Sequence, residues 1–346
     1  MAPSLSVVIP FYNEPDWIEP VVADLVVATG RAPFTDVELI IVDDGSDEAG
    51  QGALDSLSTP IPLRILRQPN QGRFAARRAG VEAARGELVL LLDARVSIAV
   101  DALTFVASQL ERTGPHPIWN GHVDVDLAGN PYGRFWRVLE SLAFRAYLDD
   151  PRTTSYGLEE FDRYPKGTTC FLAPREELLA AMSQFRSYYD DARDANDDTP
   201  VIRALAAGQR INISPGFACL YRSRDALGPF IRHAFHRGGV FVDGYGRPGT
   251  RYFPVIAGYY PLSVIALGVA ARRPWLGAAA AISMPAAGAA MGLALRRPQA
   301  DTAALAGVGP LWLAAFGAGM WRGLWLALKA KRHRLRGSVH PIVKRR

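Results

Sequence analysis

Three stretches in the C-terminal third of the sequence contain no charged residue, and they constrain the fold more than any other feature. They cover residues 252–271, 274–295 and 302–321, and an arginine pair follows each of the first two. A helix of about 20 apolar residues can cross the roughly 30 Å of hydrocarbon in a bilayer. Buried core helices are the alternative, but Trp or Tyr near the ends of the stretches favours membrane spans. We predict an all-α transmembrane region over residues 252–328 and a basic tail over residues 329–346.

The overall composition excludes several classes of protein. Hydrophobic residues make up 49% of the 346 residues and charged residues 21%, which excludes a disordered chain. The two cysteines, Cys170 and Cys219, are too few for a disulfide scaffold or a multi-cysteine zinc module. The net charge is +5, and many basic residues lie after residue 220, beside the uncharged stretches. This placement predicts a membrane surface, and no nucleic acid, as the partner.

The sequence before residue 220 alternates strands with helices. Short apolar runs predict strands at residues 5–10, 37–42, 63–67 and 87–92, and helical spacing predicts helices at residues 17–29 and 73–85. This alternation predicts an α/β domain with a mostly parallel sheet over residues 1–220. An interfacial amphipathic segment is expected over residues 221–251.

Polar side chains follow the predicted strands where each of them ends. Asn13 and Glu14 follow the first strand, and Asp43 and Asp44 follow the second. Open α/β sheets bind ligands at the carboxyl ends of their strands, so these residues predict a nucleotide cleft. The alternative for the aspartates is turn and cap chemistry, which Asp-Gly-Ser sequences often perform.

Two further charged residues are predicted at the same edge of the sheet. Asp93 follows five consecutive apolar residues at the end of the fourth strand. Arg77 lies on the helix that begins near residue 73, where its guanidinium group could bind a base or a diphosphate. A solvated helix arginine is the alternative for Arg77.

Four motifs that contain these residues occur in order, and together they resemble the family 2 glycosyltransferases. The motifs are Ser6-Val-Val-Ile-Pro-Phe-Tyr-Asn-Glu14, Ile41-Val-Asp-Asp-Gly-Ser46, Asn70-x-Gly-x3-Ala-Arg77 and Leu91-Leu-Asp-Ala-Arg95. The resemblance covers about residues 4–220. It implies a GT-A fold, which is a Rossmann-like mixed, mostly parallel sheet, and the inverting transfer of a sugar from a nucleoside diphosphate sugar. By motif, the residues implied to bind the donor are Pro10, Tyr12, Asn13, Glu14, Asp43, Asp44, Arg77 and Asp93.

The resemblance also implies a general base. Asn196-Asp-Asp-Thr199 opens a predicted helix and resembles an acidic motif of the family. Asp198, with Asp197 beside it, would then be the catalytic pair, because the displacement needs a carboxylate that takes the acceptor proton. The alternative is that both acids cap the helix.

The sequence departs from the family at the expected metal site. The resemblance implies Mg²⁺ or Mn²⁺ at Asp93, but Arg95 occupies the position of the second acid of the Asp-x-Asp motif and cannot ligate a cation. Either Arg95 turns away and leaves Asp93 to hold the metal with the diphosphate, or Arg95 itself neutralises the diphosphate. His236 and Arg237 replace a signature of processive synthases and are predicted to contact a diphosphate or a lipid phosphate.

The expected function is a multi-pass plasma-membrane glycosyltransferase with a cytoplasmic catalytic domain. UDP-sugar is the expected donor, and a polyprenyl-phosphate-linked glycan of cell-envelope polysaccharide synthesis is the expected acceptor. The alternatives are a polyprenyl-phosphate sugar synthase, a nucleotidyltransferase and a catalytically degenerate nucleotide-binding scaffold at the membrane.

The membrane topology contains a conflict. Three spans would place the basic tail opposite the catalytic domain, against the positive-inside tendency. Either the tail is an exception, or one stretch lies in the interface. Pro254 and Pro261 point to residues 252–271 as the irregular stretch.

Overall fold

The computed structural model of the protein describes residues 2–113 and 118–335. These residues fold into two compact units. Within the described residues, the first unit comprises residues 2–113, 118–125, 144–186 and 197–222, and the second comprises residues 126–143, 187–196 and 223–335. The second unit therefore includes two segments from within the range 1–220. Residues 336–346 of the predicted basic tail lie outside the described residues.

One mixed sheet forms the centre of the first unit. Its nine strands, counted over the described residues, are β1 (Ser4–Phe11), β2 (Thr35–Asp43), β3 (Leu63–Arg67), β4 (Leu88–Leu92), β5 (Val96–Ile98), β6 (Ile118–Val125), β7 (Thr154–Tyr156), β8 (Cys170–Pro174) and β9 (Ile211–Tyr221). The strand order is β3-β2-β1-β4-β8-β6-β9-β5, and β7 pairs with β9. β1 to β4 run parallel, and β8 is antiparallel to β4. The predicted α/β fold is confirmed.

Helices cover this sheet, and one of them approaches it very closely. The helices of the first unit are α1 (Pro15–Arg31), α2 (Glu48–Asp55), α3 (Arg73–Ala83), α4 (Ala102–Thr113), α6 (Arg145–Leu148), α7 (Arg175–Ser183) and α8 (Asp198–Gly208). A Cβ atom at Gly80 of α3 would lie 2.3 Å from Cγ1 of Val8, so only glycine permits this approach. The close contact with β1 holds α3, and with it Arg77, against the sheet.

The second unit is built from helices. They are α5 (Pro131–Ala143), α9 (Leu227–Tyr245), α10 (Phe253–Arg272), α11 (Pro274–Ala294) and α12 (Gln299–Leu335). The three charge-free stretches fall in α10, α11 and α12, and each of these helices is long and apolar enough to cross a membrane. α12 has 37 residues and extends well beyond the predicted stretch 302–321.

Glycines bring α9 and α12 into backbone contact. A Cβ atom at Gly238 would lie 2.1 Å from the carbonyl oxygen of Phe316, and one at Gly319 would lie 1.9 Å from the carbonyl oxygen of Phe235. Neither position can hold a larger residue without separating the helices. α5 completes the packing through a cluster that includes Phe135.

The segment Ser187–Asn196 is bound to the same two helices. Asp243 of α9 accepts hydrogen bonds from the Ser187 hydroxyl at 2.9 Å and from the backbone N–H of Asn196 at 2.8 Å. Arg322 of α12 donates two hydrogen bonds to Asp194, at 2.7 and 3.0 Å. The backbone directly before Asp197 is therefore anchored within the second unit.

Candidate active site

Three carboxylates surround one buried arginine at the carboxyl edge of the parallel strands. Arg77 of α3 is only 2% exposed. Its Nη2 donates to Oδ1 of Asp93 at 2.6 Å, and its Nη1 donates to Oδ1 of Asp198 at 3.0 Å and also to Asp197. Asp93 follows β4, whereas Asp197 and Asp198 begin α8. The structure thus brings together four residues that the sequence predicted separately.

The electrostatics of this cluster are strongly coupled. Burial lowers the pKa of the Arg77 guanidinium, but the three carboxylates raise it more, so the pKa lies above its ordinary value. Burial and the neighbouring Asp198 raise the pKa of the Asp197 carboxyl, while Arg77 and Arg73 oppose them. Arg77 is therefore a permanent cation that balances a concentration of negative charge.

Sequence reasoning missed two residues of the cluster. Asp197 raises the pKa of Arg73, which lies one helical turn before Arg77 on α3. The i, i+4 spacing of the two arginines was the available signal. The hydroxyl of Thr168 donates to Oδ1 of Asp198. Residues 167–176 resemble an acceptor-side segment of the family, but this resemblance did not single out Thr168.

The aspartates after β2 hold the backbone of the adjacent loops. Asp44 accepts hydrogen bonds from the backbone N–H groups of Gln71 at 2.9 Å and Gly72 at 2.8 Å. Asp43 accepts one from the N–H of Ser46 at 2.9 Å. Both side chains are buried. Turn stabilisation is therefore one role of each, and their contact with a donor stays a prediction.

The residues after β1 form a second part of the same edge. Pro10 lies in β1, and Tyr12 is 49% exposed. Asn13 has a φ of 52°, in the left-handed region, and its side-chain oxygen accepts a hydrogen bond from the N–H of Asp47 at 2.8 Å. Oε2 of Glu14 lies 3.5 Å from Nε of Arg95. The contact of these residues with a donor stays a prediction.

Arg95 is directed toward Glu14 and Trp17. Its guanidinium carbon lies 5.1 Å from the centre of the Trp17 ring. Among the described residues, no group of three His, Cys, Asp or Glu side chains is arranged to hold a metal ion. Asp93 could supply a carboxylate ligand, and its side chain is 19% exposed. A metal here would need the remaining ligands from a bound diphosphate and water.

His236 and Arg237 belong to α9 of the second unit. The guanidinium carbon of Arg237 lies 5.8 Å from the centre of the Trp136 ring. Burial raises the pKa of the Glu140 carboxyl, and Arg237 is one of two arginines that oppose this shift. The contact of His236 and Arg237 with a phosphate stays a prediction.

A mixed sheet with a charged cluster at its carboxyl edge defines the class as a GT-A domain. Residues 6–168 match the profile described as Glycosyl transferase family 2. This match agrees with the family that the four motifs resemble.

Relatives agree with this assignment over part of their length. The glycosyltransferase EpsJ of Bacillus subtilis is 33% identical over 94 residues, which cover 27% of this chain and 26% of EpsJ. The dodecaprenyl-phosphate galacturonate synthase of Rhizobium johnstonii is 35% identical over 111 residues, which cover 31% of this chain and 32% of that protein. The chain thus spans about a quarter to a third of the length of these curated relatives.

A solved structure shares the fold over most of the chain. It is the mannosyltransferase PcManGT from Pyrobaculum calidifontis in complex with GDP-Man and Mn²⁺. The TM-score is 0.59 at 19% sequence identity, and the match covers 94% of this chain and 88% of PcManGT.

Proposed function

We propose that this protein is a membrane-anchored glycosyltransferase that transfers a sugar from a nucleoside diphosphate sugar to an acceptor, with inversion. The observation that carries the proposal is the cluster of Asp198, Asp197 and Asp93 around Arg77. It supplies a carboxylate for proton removal beside the strand ends where an α/β sheet binds a nucleotide.

The reaction is an in-line displacement at the anomeric carbon. The acceptor oxygen forms a bond to that carbon while the bond to the diphosphate oxygen breaks, and the diphosphate leaves with the electron pair. Asp198 takes the acceptor proton. Arg77 and Thr168 both donate to its Oδ1, which fixes the orientation of the carboxylate. Asp197 is the alternative base, because its raised pKa favours proton uptake.

The donor and its metal are part of the same proposal. UDP-sugar is the preferred donor, held by residues that follow β1, β2 and β4. Asp93 would hold Mg²⁺ or Mn²⁺ together with the diphosphate, and the metal would neutralise the leaving group. Arg95 is proposed to turn away from the diphosphate; the alternative is that it neutralises the diphosphate from its position beside Glu14.

The acceptor is proposed to be anchored in the membrane. The three apolar helices support a membrane protein, and the plasma membrane is the proposed location. The catalytic domain is proposed to face the cytoplasm, because nucleoside diphosphate sugars are cytoplasmic. A polyprenyl-phosphate-linked glycan is the favoured acceptor. A polyprenyl-phosphate sugar synthase is the second candidate, because the R. johnstonii relative is a dodecaprenyl-phosphate galacturonate synthase. The two differ in whether the accepting oxygen belongs to a sugar or to a phosphate.

The test compares wild-type protein with Asp198→Asn. Purified protein in lipid is given UDP-, GDP- and dTDP-sugars with either acceptor. The Asn variant keeps the shape of the side chain but cannot take the proton, so transfer should fall by roughly 10²–10⁴-fold while nucleotide affinity stays nearly unchanged. The control is Asp191→Asn, which removes an equal charge from an exposed side chain that pairs with Arg193.

Two outcomes would contradict the proposal. Wild-type protein that binds nucleotide but transfers no sugar to any acceptor would indicate a scaffold. Full turnover by Asp198→Asn would assign proton removal to another acid, with Asp197 the first to examine.

A further inference from the structure

The hairpin formed by α10 and α11 projects away from the rest of the second unit. Seven large apolar side chains of the two helices are between 61% and 78% exposed; they are Val255, Leu262, Ile265, Leu267, Trp275, Ile282 and Leu293. Burial in α10 is confined to Ile256 and in α11 to Gly292, near the ends that are remote from the turn. An exposed apolar surface of this size marks a site that is covered by a membrane or by another protein.

The two helices meet each other near the turn and meet α12 at their other ends. A Cβ atom at Gly277 would lie 3.1 Å from Cβ of Ala270, beside the turn. In the N-terminal half of α10, Ile256 packs in a cluster with Met320, and the Tyr260 hydroxyl donates to the carbonyl oxygen of Met320 at 3.1 Å. At the end of α11, a Cβ atom at Gly288 would lie 2.6 Å from the carbonyl oxygen of Leu305.

These contacts determine the direction of α12 relative to the hairpin. A hairpin that crosses a bilayer twice begins and ends on the same side. Its two ends contact Met320 and Leu305, which lie about 22 Å apart along a helix with a rise of about 1.5 Å per residue. The charge-free part of α12 therefore connects the N-terminal part of α10 with the C-terminal part of α11. Because these two parts of the hairpin lie on one side of the bilayer, both ends of the charge-free part of α12 lie on that side as well.

The neighbours of α12 also differ from those of a membrane span. In the most apolar stretch of α12, 44% of the residues are buried within the protein. The corresponding share is 6% in α10 and 6% in α11. The helix that covers it is α9, which carries Arg232 and Arg237. Charged side chains are costly in hydrocarbon, so the α9–α12 pair suits the interface better than the bilayer core.

The charges at the two ends of the hairpin are consistent with this arrangement. Arg272 and Arg273 lie at the turn, with Trp275 beside them. These two arginines must lie among the headgroups on the side of the bilayer opposite the start of α10, because arginine is unfavourable in the bilayer centre. Four arginines flank the other ends of the two helices: Arg247, Arg251, Arg296 and Arg297. The larger basic group marks the cytoplasmic side.

We propose that the α10–α11 hairpin is the segment of the described chain that crosses the bilayer, and that α12 lies along its cytoplasmic surface. The partner of this apolar surface is the lipid bilayer. The proposal rests on the membrane anchoring in the proposed function. It places residues 302–321, instead of 252–271, in the interface. The C-terminal end of α12 then lies on the same side as the N-terminus of α10, which removes the conflict with the positive-inside tendency.

Cysteine labelling of full-length protein in sealed vesicles tests the topology. Single cysteines are introduced by Ser56→Cys, Ala271→Cys, Gln299→Cys and Lys331→Cys, and an impermeant maleimide is applied to vesicles of each orientation. Positions 56, 299 and 331 should react from the same side, and position 271 from the other. Labelling of 331 from the side opposite 299 would show that α12 crosses. Labelling of 271 from the same side as 56 would show that the hairpin does not cross.

A pair of matched substitutions gives an independent test. Ile282→Asp puts a charge in the middle of α11, and Leu313→Asp puts one on the exposed face of α12. The first should shift most of the protein from the carbonate-washed membrane to the soluble or aggregated fraction, and the second should not. Equal shifts would overturn the proposal. Neither of these measurements depends on catalysis. A protein that shows this topology but transfers no sugar would therefore contradict the proposed function and leave the topology supported.

Discussion

At the scale of single residues, Arg77 decides whether the candidate site can exist. It is buried and bound to three carboxylates that come from β4 and α8. Without a cation, these carboxylates could not stay ionised so close together. Arg77 therefore compensates the negative charge of all three carboxylates and holds the Asp198 side chain by a hydrogen bond.

Arg77→Ala should destabilise the protein in a pH-dependent way. At neutral pH the free energy of unfolding should fall by about 3–5 kcal/mol, because buried carboxylates lose their partner. The pKa of Asp197 is already raised and should rise further without Arg77. When the folded-state pKa of a carboxyl is raised, its protonated form stabilises the folded state. This stabilisation is fully present below the ordinary pKa near 3.9, and it is lost as pH rises through the folded-state pKa. The variant's deficit should therefore be smaller at about pH 4 than at pH 7.

Denaturant unfolding at the two pH values measures this effect. Arg78→Ala is the control, since Arg78 lies on the same helix but pairs with the exposed Glu82 at 2.7 Å. An equal deficit at both pH values would argue against coupling between Arg77 and Asp197.

Arg95→Asp tests the metal. If Asp93 and the diphosphate hold Mn²⁺, a second carboxylate should lower the metal concentration for half-maximal transfer by about tenfold, equivalent to about 1.4 kcal/mol. If Arg95 instead neutralises the diphosphate, activity should collapse even in abundant Mn²⁺. Wild-type transfer at full rate in excess EDTA would exclude a required metal, and Arg78→Asp controls for the change of charge.

At the scale of helices and strands, the sequence predicts the first half of the sheet well and the second half poorly. β4 is a continuous apolar run, and β1 and β2 each contain an apolar run of at least three residues. Such runs are typical of parallel strands buried on both faces. β6 instead contains the buried Asn120 and His122. Their partners are the carbonyl oxygen of Pro165 at 3.2 Å and the hydroxyl of Tyr147 at 2.9 Å, both distant in sequence. A local pattern cannot reveal such partners.

The same limit applies to the site and to the helices. Asp93, Arg77 and Asp198 could be predicted from their positions at element ends and from the family motifs. Thr168 could not, because its role depends on a contact with α8 across 30 residues of sequence. The approach of α9 to α12 likewise depends on the pairing of Gly238 with Gly319, which neither helix shows alone.

Gly238→Ala should weaken the packing of α9 against α12. Its Cβ would lie 2.1 Å from a backbone oxygen that cannot move independently, so the free energy of unfolding should fall by about 1–3 kcal/mol. Gly228→Ala on the same helix is the matched control, because its Cβ would meet only Nη1 of Arg232 at 3.5 Å. Thermal unfolding in detergent should show a lower Tm for the first variant alone. Equal Tm values for the two variants would contradict the close crossing.

At the scale of the whole molecule, the chain combines an α/β unit that matches the family 2 glycosyltransferase profile over residues 6–168 with a unit built from helices. Length and composition identify three helices able to cross. They cannot distinguish a helix that faces lipid from one covered by α5 and α9, because the covering helices come from other parts of the chain. Only the packing separates α12 from the other two.

The turn of the α10–α11 hairpin gives the membrane anchor an electrical property. Arg272 and Arg273 carry two positive charges at the tip, and in the proposed topology both pass to the outer side. Each elementary charge moved across the membrane potential changes the energy by about 2.3 kcal/mol per 100 mV. When the cytoplasm is negative, the field opposes the outward transfer of this pair by about 4.6 kcal/mol per 100 mV. Insertion of the anchor is therefore easier into a depolarised membrane than into an energised one.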